Sequence, residues 1–305
     1  MIPRSTWKIR GGKGFGSASF LVAGIVNVTP DSFSDGGLYN EPADALARCD
    51  KLVQDGAAIL DIGGESTRPG AAPVSAQEEL NRLMPVVEPL AAMRNAGRDE
   101  NARFFIAVDT YRASVAAAVL EAGADIVNDI SGASFDPAMR EVLGQYKPGY
   151  VLTHTPSTPE NMMQCADYAA YPSVVDAVRE FFESSMAALV SSGLPEENIV
   201  LDPGIGFGKT AEQNRDILRH IAKFYSFGRP LYVGVSRKRM FGDWLGLPLA
   251  NRDAITQVAA ALLAERGVYV HRVHDVAGAV AGLRLAEILA EFPNEAECAV
   301  KIAIS

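Results

Sequence analysis

Apolar residues along the chain form short runs that are separated by longer amphipathic segments. The runs are too short for helices and rich in Val, Ile and Leu, which is typical of buried strands. Eight such runs occur: LVAGIVNV at 21–28, AAILDIGG at 57–64, FFIAVDT at 104–110, ADIVNDI at 124–130, GYVLTH at 149–154, NIVLDP at 198–203, LYVGVS at 231–236 and VYVHRVH at 268–274.

A segment with helical spacing of its apolar residues follows each predicted strand. Ser75 and Glu78 form a capping-box pattern before the second of these helices, and Pro85 and Pro89 predict kinks inside it. The predicted helices cover 41–56, about 76–90, 113–121, 136–145, 174–190, a segment that includes Ile217, Leu218 and Ile221, 252–265, and 275–292.

Eight strands that each precede a helix favour a parallel α/β fold. The strands are apolar throughout rather than alternating, which indicates burial on both faces. We therefore predict a single (β/α)8 TIM barrel over residues 21–292, with a short N-terminal extension at 1–20 and a C-terminal tail at 293–305. We expect the extension to cover the bottom of the barrel. A doubly wound open sheet is the alternative, although such sheets rarely contain eight regular units.

Composition and charge narrow the class of protein. Apolar residues make up 48% of the 305 residues, which is enough for a sizeable core, and the net charge of -9 argues against a nucleic-acid partner. Cys49, Cys165 and Cys298 are odd in number and far apart, so a reducing cytoplasmic location is expected. The sequence has no apolar run of signal-peptide or membrane-spanning type, and we expect no membrane partner.

Polar residues end all eight predicted strands. Any one of them could serve only as the N-cap of the next helix. Together they are harder to explain in that way, because a barrel places its site at the carboxyl ends of its strands and an unpaired buried charge is costly. The set consists of Asn27, Asp61, Asp109, Asn128, His154, Asp202, Ser236 with Lys238, and Arg272 with His274.

The residue types at these strand ends indicate the kind of ligand. Asp109, Asn128 and Asp202 offer acceptors for N–H groups and one amide, which suits the edge of a heterocycle with amino and lactam groups. Positively charged groups follow the seventh and eighth strands, where barrels commonly bind phosphate. The pattern therefore predicts a polar heterocycle joined to phosphate.

Seven sequence blocks resemble the dihydropteroate synthase family. They occur in order and span most of the chain: GIVNVTPDSFSDGG at 24–37, DIGGESTRPG at 61–70, VDT at 108–110, VNDISG at 127–132, DPGIGFGKT at 202–210, VSRK at 235–238 and RVHDV at 272–276. The resemblance implies an enzyme that joins 6-hydroxymethyl-7,8-dihydropterin pyrophosphate to 4-aminobenzoate, both small-molecule substrates, and releases pyrophosphate and 7,8-dihydropteroate. It also implies Mg²⁺ as cofactor and a homodimer.

The same resemblance assigns roles to individual residues. The positions that match the family's pterin site are Asp109, Asn128, Asp202 and Lys238. Those that match the pyrophosphate site are Arg272, His274 and Asn27, the last also as the metal ligand. Two loops that complete the site in the family match Ser32, Phe33 and Asp35 and, in the second loop, Thr67, Arg68 and Pro69. Phe207 and Ser236, with Lys238, match positions near the aminobenzoate.

The chain departs from the family pattern at two positions. Thr153 stands where members often carry Met, so a packing contact that the Met makes near the pterin is not expected to be the same in this chain. Arg239 stands where many members carry Ser, which could alter the contact with the aminobenzoate carboxylate.

Two other functions compete with the synthase. A pterin-dependent methyltransferase would share the barrel but would have no use for Lys238, Arg272 and His274. A pterin-binding protein without turnover is the alternative outside the enzyme classes.

Several prominent residues have plainer interpretations. We expect Asp61 and Glu65 to orient the second loop rather than to take part in catalysis. Lys209 follows a Gly-rich turn that lacks the spacing of a P-loop. His271 and His274 are three apart on a strand and therefore do not form a metal pair.

Overall fold

Eight parallel strands form the centre of the protein. The computed structural model describes residues 6–12, 14–15, 18–29, 41–66, 73–96, 104–156 and 166–290. The strands are β1 (Leu21–Asn27), β2 (Ile59–Gly63), β3 (Phe105–Asp109), β4 (Ile126–Asp129), β5 (Gly149–Thr153), β6 (Ile199–Asp202), β7 (Tyr232–Val233) and β8 (Val270–Val273).

The strands close into a barrel, as predicted. Their order is β6-β5-β4-β3-β2-β1-β8-β7, and each adjacent pair in this order is parallel. A parallel bridge between Leu201 and Leu231 joins β6 to β7, where the backbone N–H of Leu201 donates to the carbonyl of Pro230 over 3.0 Å. The open doubly wound sheet is therefore excluded.

A helix follows each strand, and the helix ends differ slightly from the predicted ends. They are α1 (Glu41–Gln54), α2 (Ala76–Ala96), α3 (Ala113–Ala122), α4 (Met139–Tyr146), α5 (Val174–Ser191), α6 (Ala211–Arg219), α7 (Met240–Leu245), α8 (Arg252–Glu265) and α9 (Val276–Ala290). Short 3-10 segments cover Arg10–Gly12, Glu196–Asn198, Ile221–Phe227 and Leu249–Asn251.

Three features of the helical layer differ from the sequence prediction. Ile221 does not belong to α6, because the α-helix stops at Arg219 and a 3-10 segment continues the chain. The six-residue helix α7 was not predicted, since it is too short to show a period. The fourth helix starts at Met139 rather than at Asp136, whose carboxylate accepts from the backbone N–H groups of Ala113 and Ala138.

Inward-facing residues fill the lower half of the barrel, and the N-terminal segment packs beneath them. Trp7, Ile9 and Phe15 are buried against inward residues of the strands, among them Ile59 and Val151. The Trp7 indole N–H donates to the carbonyl of Asn198 over 2.8 Å. The lower end of the barrel is thus filled, which leaves the carboxyl ends of the strands as the open side. The predicted tail at 293–305 lies outside the described residues.

No helix within the described ranges is long and apolar enough to cross a membrane.

Candidate active site

The carboxyl ends of the strands carry a group of buried polar residues from different strands. Asp109 and Asn128 are register partners across β3 and β4, and Thr153 and Asp202 are partners across β5 and β6. Asp61 lies one step deeper on β2, opposite Ala107. The parallel register therefore brings together side chains that are far apart in the sequence.

Arg272 connects the acidic groups at the floor of this site. Its Nε donates to Oδ2 of Asp61, and its Nη2 donates to Oδ2 of Asp109 over 2.8 Å. The amide of Asn128 also donates to Oδ2 of Asp61, over 3.0 Å. Four strands thus contribute to one charge-assisted hydrogen-bond network.

The ionisation of Asp109 is set by two opposing effects. Burial disfavours the charged carboxylate, while the Arg272 guanidinium favours it. Burial is the larger effect and raises the pKa of Asp109 to about 7. Burial likewise raises the pKa of Asp202. The backbone N–H of Gly204 opposes this rise, because it donates to Oδ1 of Asp202 over 2.8 Å and so favours the charged form. Both carboxyl groups therefore bind protons more readily than exposed carboxyl groups do.

Lys238 and Phe207 lie on the β6–β7 side of the site. The Lys238 ammonium donates to the carbonyl of Ile205 and lies 4.4 Å from the centroid of the Phe207 ring. Gly206 has a φ of 83°, and a Cβ there would approach Cδ of Lys238 to 2.9 Å, so this turn requires glycine. Burial lowers the pKa of Lys238 to about 8. The turn after β6 therefore fixes the path of the Lys238 side chain.

Ser236 and His274 form a pair between the seventh and eighth strand ends. The Ser236 hydroxyl lies 2.9 Å from Nδ1 of His274 and accepts from the His274 backbone N–H over 3.1 Å. Between Ser236 and Lys238, Arg237 adopts a φ of 58°, which is unusual for a residue with a side chain. Its guanidinium makes two hydrogen bonds to Asp253, of 2.6 and 2.7 Å. This ion pair stabilises the backbone turn that presents Ser236 and Lys238.

The network contains one residue for which sequence analysis proposed another role. Asp61 was expected to orient the second loop, but its carboxylate instead holds Arg272 and Asn128 inside the barrel. That expectation was wrong. The sequence did contain a signal for the correct role. Asp61 is two residues after the inward-facing Ile59, and alternate residues of a strand face the same side, so Asp61 also faces inward.

Glu65 does contact the second-loop region. Its carboxylate accepts from Arg112, which also donates to the carbonyl of Val74 over 2.6 Å. Arg112 makes a further hydrogen bond to the buried carboxylate of Glu79, over 2.5 Å. This cluster holds the chain just before and just after residues 67–72.

Lys209 has a structural environment. Its buried ammonium donates to the carbonyls of His154, Gly204 and Phe207, over 3.2, 2.9 and 3.2 Å. Burial lowers its pKa to about 7. The contacts agree with the expectation that Lys209 is not a P-loop lysine.

The two C-terminal histidines lie in different environments. His271 pairs in register with Val22 and Val233 and is buried on the side that faces the helices. His274, in contrast, contacts Ser236 at the strand end. The two side chains therefore lie apart, as their spacing predicts.

The two departures from the family pattern lie in different places. Thr153 is buried in β5 beside Asp202, and its hydroxyl has no hydrogen-bond partner in the described part of the chain. The Arg239 side chain is 76% exposed and lies 3.6 Å from Asp243 on the same helical turn. Arg239 therefore faces solvent.

Six of the predicted site residues lie outside the described residues. They are the residues of the two loops, Ser32, Phe33, Asp35, Thr67, Arg68 and Pro69. Their roles stay predictions.

The residues near Asn27 have the chemistry for a magnesium ion that would be bound mainly through substrate. Within the described ranges, no three His, Cys, Asp or Glu side chains are grouped as metal ligands. The Asn27 amide oxygen is a hard donor, and a Cβ placed on Gly63 would lie 3.9 Å from it and 3.6 Å from Cβ of Asp109. The bare backbone of Gly63 thus leaves room between these two side chains. One amide oxygen suits Mg²⁺, which retains waters and substrate phosphate oxygens.

Comparison with known proteins identifies the family. Residues 23–274 match the family model described as pterin binding enzyme. The chain is 42% identical over 256 residues to dihydropteroate synthase of Synechocystis, covering 84% of this chain and 85% of that protein. It is 38% identical over 266 residues to dihydropteroate synthase of Escherichia coli, covering 87% and 90%.

Solved structures agree with these sequence relatives. Xanthomonas albilineans dihydropteroate synthase with 4-aminobenzoic acid superimposes with a TM-score of 0.84 at 35% identity, covering 94% of this chain and 100% of that one. The same organism's enzyme in complex with 7,8-dihydropteroate gives a TM-score of 0.80 at 33% identity, covering 93% and 100%. The fold, the strand-end residues and these relatives together show that the chain belongs to the dihydropteroate synthase family of transferases.

Proposed function

We propose that this barrel joins 6-hydroxymethyl-7,8-dihydropterin pyrophosphate to 4-aminobenzoate, forming 7,8-dihydropteroate and pyrophosphate. The observation that carries the proposal is the network in which Arg272 lies between Asp61 and Asp109, next to Asn128. It combines acceptors for a heterocycle with a fixed positive charge. The ligands named for the Xanthomonas albilineans structures, 4-aminobenzoic acid and 7,8-dihydropteroate, support the same reaction.

The acidic and amide groups suit the pterin ring. Asp202 and Asp109 would accept from ring N–H groups, and the Asn128 amide can both donate and accept. A ring without matching N–H and carbonyl groups would leave these buried side chains unpaired, at a cost of ~1–3 kcal/mol each. The site therefore selects an amino-lactam heterocycle over an apolar ring of the same size.

The reaction replaces a C–O bond by a C–N bond. The bond between the methylene carbon and pyrophosphate breaks, and its electron pair leaves with the pyrophosphate. The cation left behind is delocalised into the electron-rich dihydropterin, where the Asp109 and Asp202 carboxylates would stabilise it. The lone pair of the aminobenzoate nitrogen then forms the new bond, and that nitrogen releases one proton.

Arg272, which lies between two acidic residues, and neighbouring polar groups would stabilise the departing anion. Arg272 and His274 supply charge and N–H donors, and Asn27 supplies the oxygen that would hold Mg²⁺ beside the pyrophosphate. When bound, the metal neutralises charge on the leaving group. Lys238, Phe207 and Ser236 line the side on which the aminobenzoate would lie.

The first test is pyrophosphate release from 6-hydroxymethyl-7,8-dihydropterin pyrophosphate, with and without 4-aminobenzoate, alongside detection of dihydropteroate. Release coupled to dihydropteroate is expected, and chelation of Mg²⁺ by EDTA should lower the rate. Tight pterin binding without release would contradict the synthase and favour a binding protein. Methyl transfer from a methylated pterin to a corrinoid would favour the methyltransferase.

We further propose that the chain forms a homodimer through α8 and α9. These helices pack on each other, and they expose large aliphatic side chains at helical spacing: Val258 and Leu262 on α8, and Leu285, Ile288 and Leu289 on α9, each more than half exposed. An apolar surface of this kind is typical of an interface. A second copy is the expected occupant, because homodimers bury such faces through twofold symmetry.

Light scattering coupled to size exclusion tests the dimer. The wild-type chain should elute as a dimer, and Ile288→Glu should elute as a monomer. Val190→Glu on α5 is the matched control, because Val190 is 43% exposed and lies on another helix. A monomeric wild-type protein would contradict the proposal.

A cytoplasmic location also stays a proposal. Cys49 is a fully buried free thiol, and burial raises its pKa to about 12, which keeps it protonated and unreactive. A reduced cysteine of this kind suits a reducing compartment. Fractionation of the expressing cells with detection of the chain tests the location.

A further inference from the structure

Tyr232 lies inside the barrel, directly below the level of the active-site network. It is the first residue of β7, pairs in register with Val270, and is buried among inward residues such as Val151 and Val200. The next inward position, just after the strand, is Gly234, where a Cβ would lie 3.6 Å from Cβ of Arg272. The Arg272 side chain therefore crosses the interior just above the tyrosine.

Two buried polar atoms in this region have no partner. Across the described ranges, neither Oδ1 of Asp61 nor the hydroxyl of Tyr232 makes a hydrogen bond. The other oxygen of Asp61 accepts from both Arg272 and Asn128. One atom is an acceptor and the other carries a donor, so they are chemically complementary.

The charged groups of the network act on the Tyr232 hydroxyl. Burial is the main cause that raises the pKa of Tyr232, and the carboxylate of Asp61 is the charge that adds most to this rise. Arg272, Asp202 and Asp109 act on the same hydroxyl more weakly. The hydroxyl therefore lies within electrostatic reach of the acidic floor of the site.

Leaving both atoms unpaired would be costly. A buried donor or acceptor without a partner costs ~1–3 kcal/mol, and proteins usually satisfy such pairs directly or through an enclosed water. We propose that the Tyr232 hydroxyl donates to the free oxygen of Asp61, directly or through one enclosed water, and so positions Asp61 and Arg272 for the pterin substrate. Tyr232 is thus a positioning residue, and this role rests on the proposed function.

The effect on the site follows from the geometry of a carboxylate. Asp61 holds Arg272 and Asn128 with a single oxygen, so a donor on the other oxygen prevents the carboxylate from rotating. Without that donor the carboxylate can rotate about its Cβ–Cγ bond, and Arg272 loses one of its two fixed acceptors for part of the time. The pterin side of the site would loosen, while the aminobenzoate side would not change.

Tyr232→Phe removes the hydroxyl and keeps the ring. We expect the KM for the pterin pyrophosphate to rise at least fivefold and the KM for 4-aminobenzoate to stay within twofold of wild type. A smaller folded fraction would change neither KM. The control is Tyr225→Phe, because the hydroxyl of Tyr225 also lacks a partner among the described residues but lies in the outer 3-10 segment. Unchanged KM values in Tyr232→Phe, or an equal change in the control, would overturn the role.

Two further measurements do not depend on turnover. In an Asp61→Ala background, Tyr232→Phe should leave the calorimetric affinity for the pterin substrate unchanged, since the acceptor is already gone; a further loss of affinity would contradict the pairing. A crystal structure of the wild-type protein should place the Tyr232 oxygen within ~3.2 Å of Oδ1 of Asp61, or both within that distance of one water. A hydroxyl with neither contact overturns the proposal even if the protein proves not to be a synthase.

Discussion

Arg272 donates a hydrogen bond of 2.8 Å to Asp109, which joins a residue predicted for the pyrophosphate to a residue predicted for the pterin. The two halves of the substrate would therefore meet at one ion pair. Since the pair is largely buried, it acts where electrostatic interactions are least screened. The bond that breaks lies between these two halves.

Removal of the Arg272 charge should affect turnover most. Arg272→Ala is expected to lower kcat/KM by about 10²-fold or more, as loss of a charge-stabilising group does. Arg272→Lys should recover little of the lost kcat/KM, because an ammonium cannot donate to Asp61 and Asp109 with guanidinium geometry. The rate of pyrophosphate release measures kcat/KM for both variants. Arg215→Ala, at an exposed position of α6, is the control, and wild-type turnover in Arg272→Ala would remove the assignment.

Asp202 should contribute mainly to pterin affinity. Asp202→Ala is expected to weaken pterin binding by about 2 kcal/mol or more, because the ring N–H groups lose a buried acceptor. Isothermal titration calorimetry with the pterin substrate measures this change. Asp50→Asn at an exposed position of α1 should bind normally. Equal affinity in Asp202→Ala and wild type would contradict the role.

Asp109 predicts a pH dependence with a definite sign. Its pKa is raised to about 7, so the carboxyl is protonated below that pH and cannot stabilise a cation. Activity should therefore rise with pH through about 7 and level off above it. Initial rates at low pterin substrate concentration, measured as a function of pH, test this rising limb of the pH–rate profile. Asp109→Asn should be much less active and should lack the limb, whereas a flat wild-type profile would contradict the prediction.

His271 should make the fold less stable in acid. Burial lowers its pKa from 6.5 to about 4, so between these values the unfolded chain binds a proton that the folded chain does not. Stability should then fall as the pH drops from 6.5 towards 4, by about 3 kcal/mol from this residue. Urea unfolding at several pH values should show a smaller fall in His271→Leu. His220→Gln on the surface should retain the wild-type fall, and parallel curves for wild type and His271→Leu would refute the prediction.

The repeating pattern of apolar runs was sufficient to predict the barrel and the place of its site. Strand ends such as Asp109 and Asp202 are local features, and parallel strands bring their ends to one edge. The pairing of Arg272 with Asp61 was not predictable in the same way, because it depends on β8 pairing with β1, which in turn pairs with β2. The helix α7 was missed for a local reason, since it begins three residues after the unusual backbone of Arg237 and has only six residues.

The N-terminal segment has a consequence for the order in which the chain can assemble. The Trp7 indole bonds to Asn198, and the Arg229 guanidinium bonds to the carbonyl of Thr6 over 3.0 Å, so these contacts join positions about 190 and 220 residues apart. During synthesis, the partners of the first segment leave the ribosome only after most of the barrel has been made. Contacts of such long sequence separation form late and slowly. The segment that is made before the barrel is therefore expected to be among the last to reach its final position.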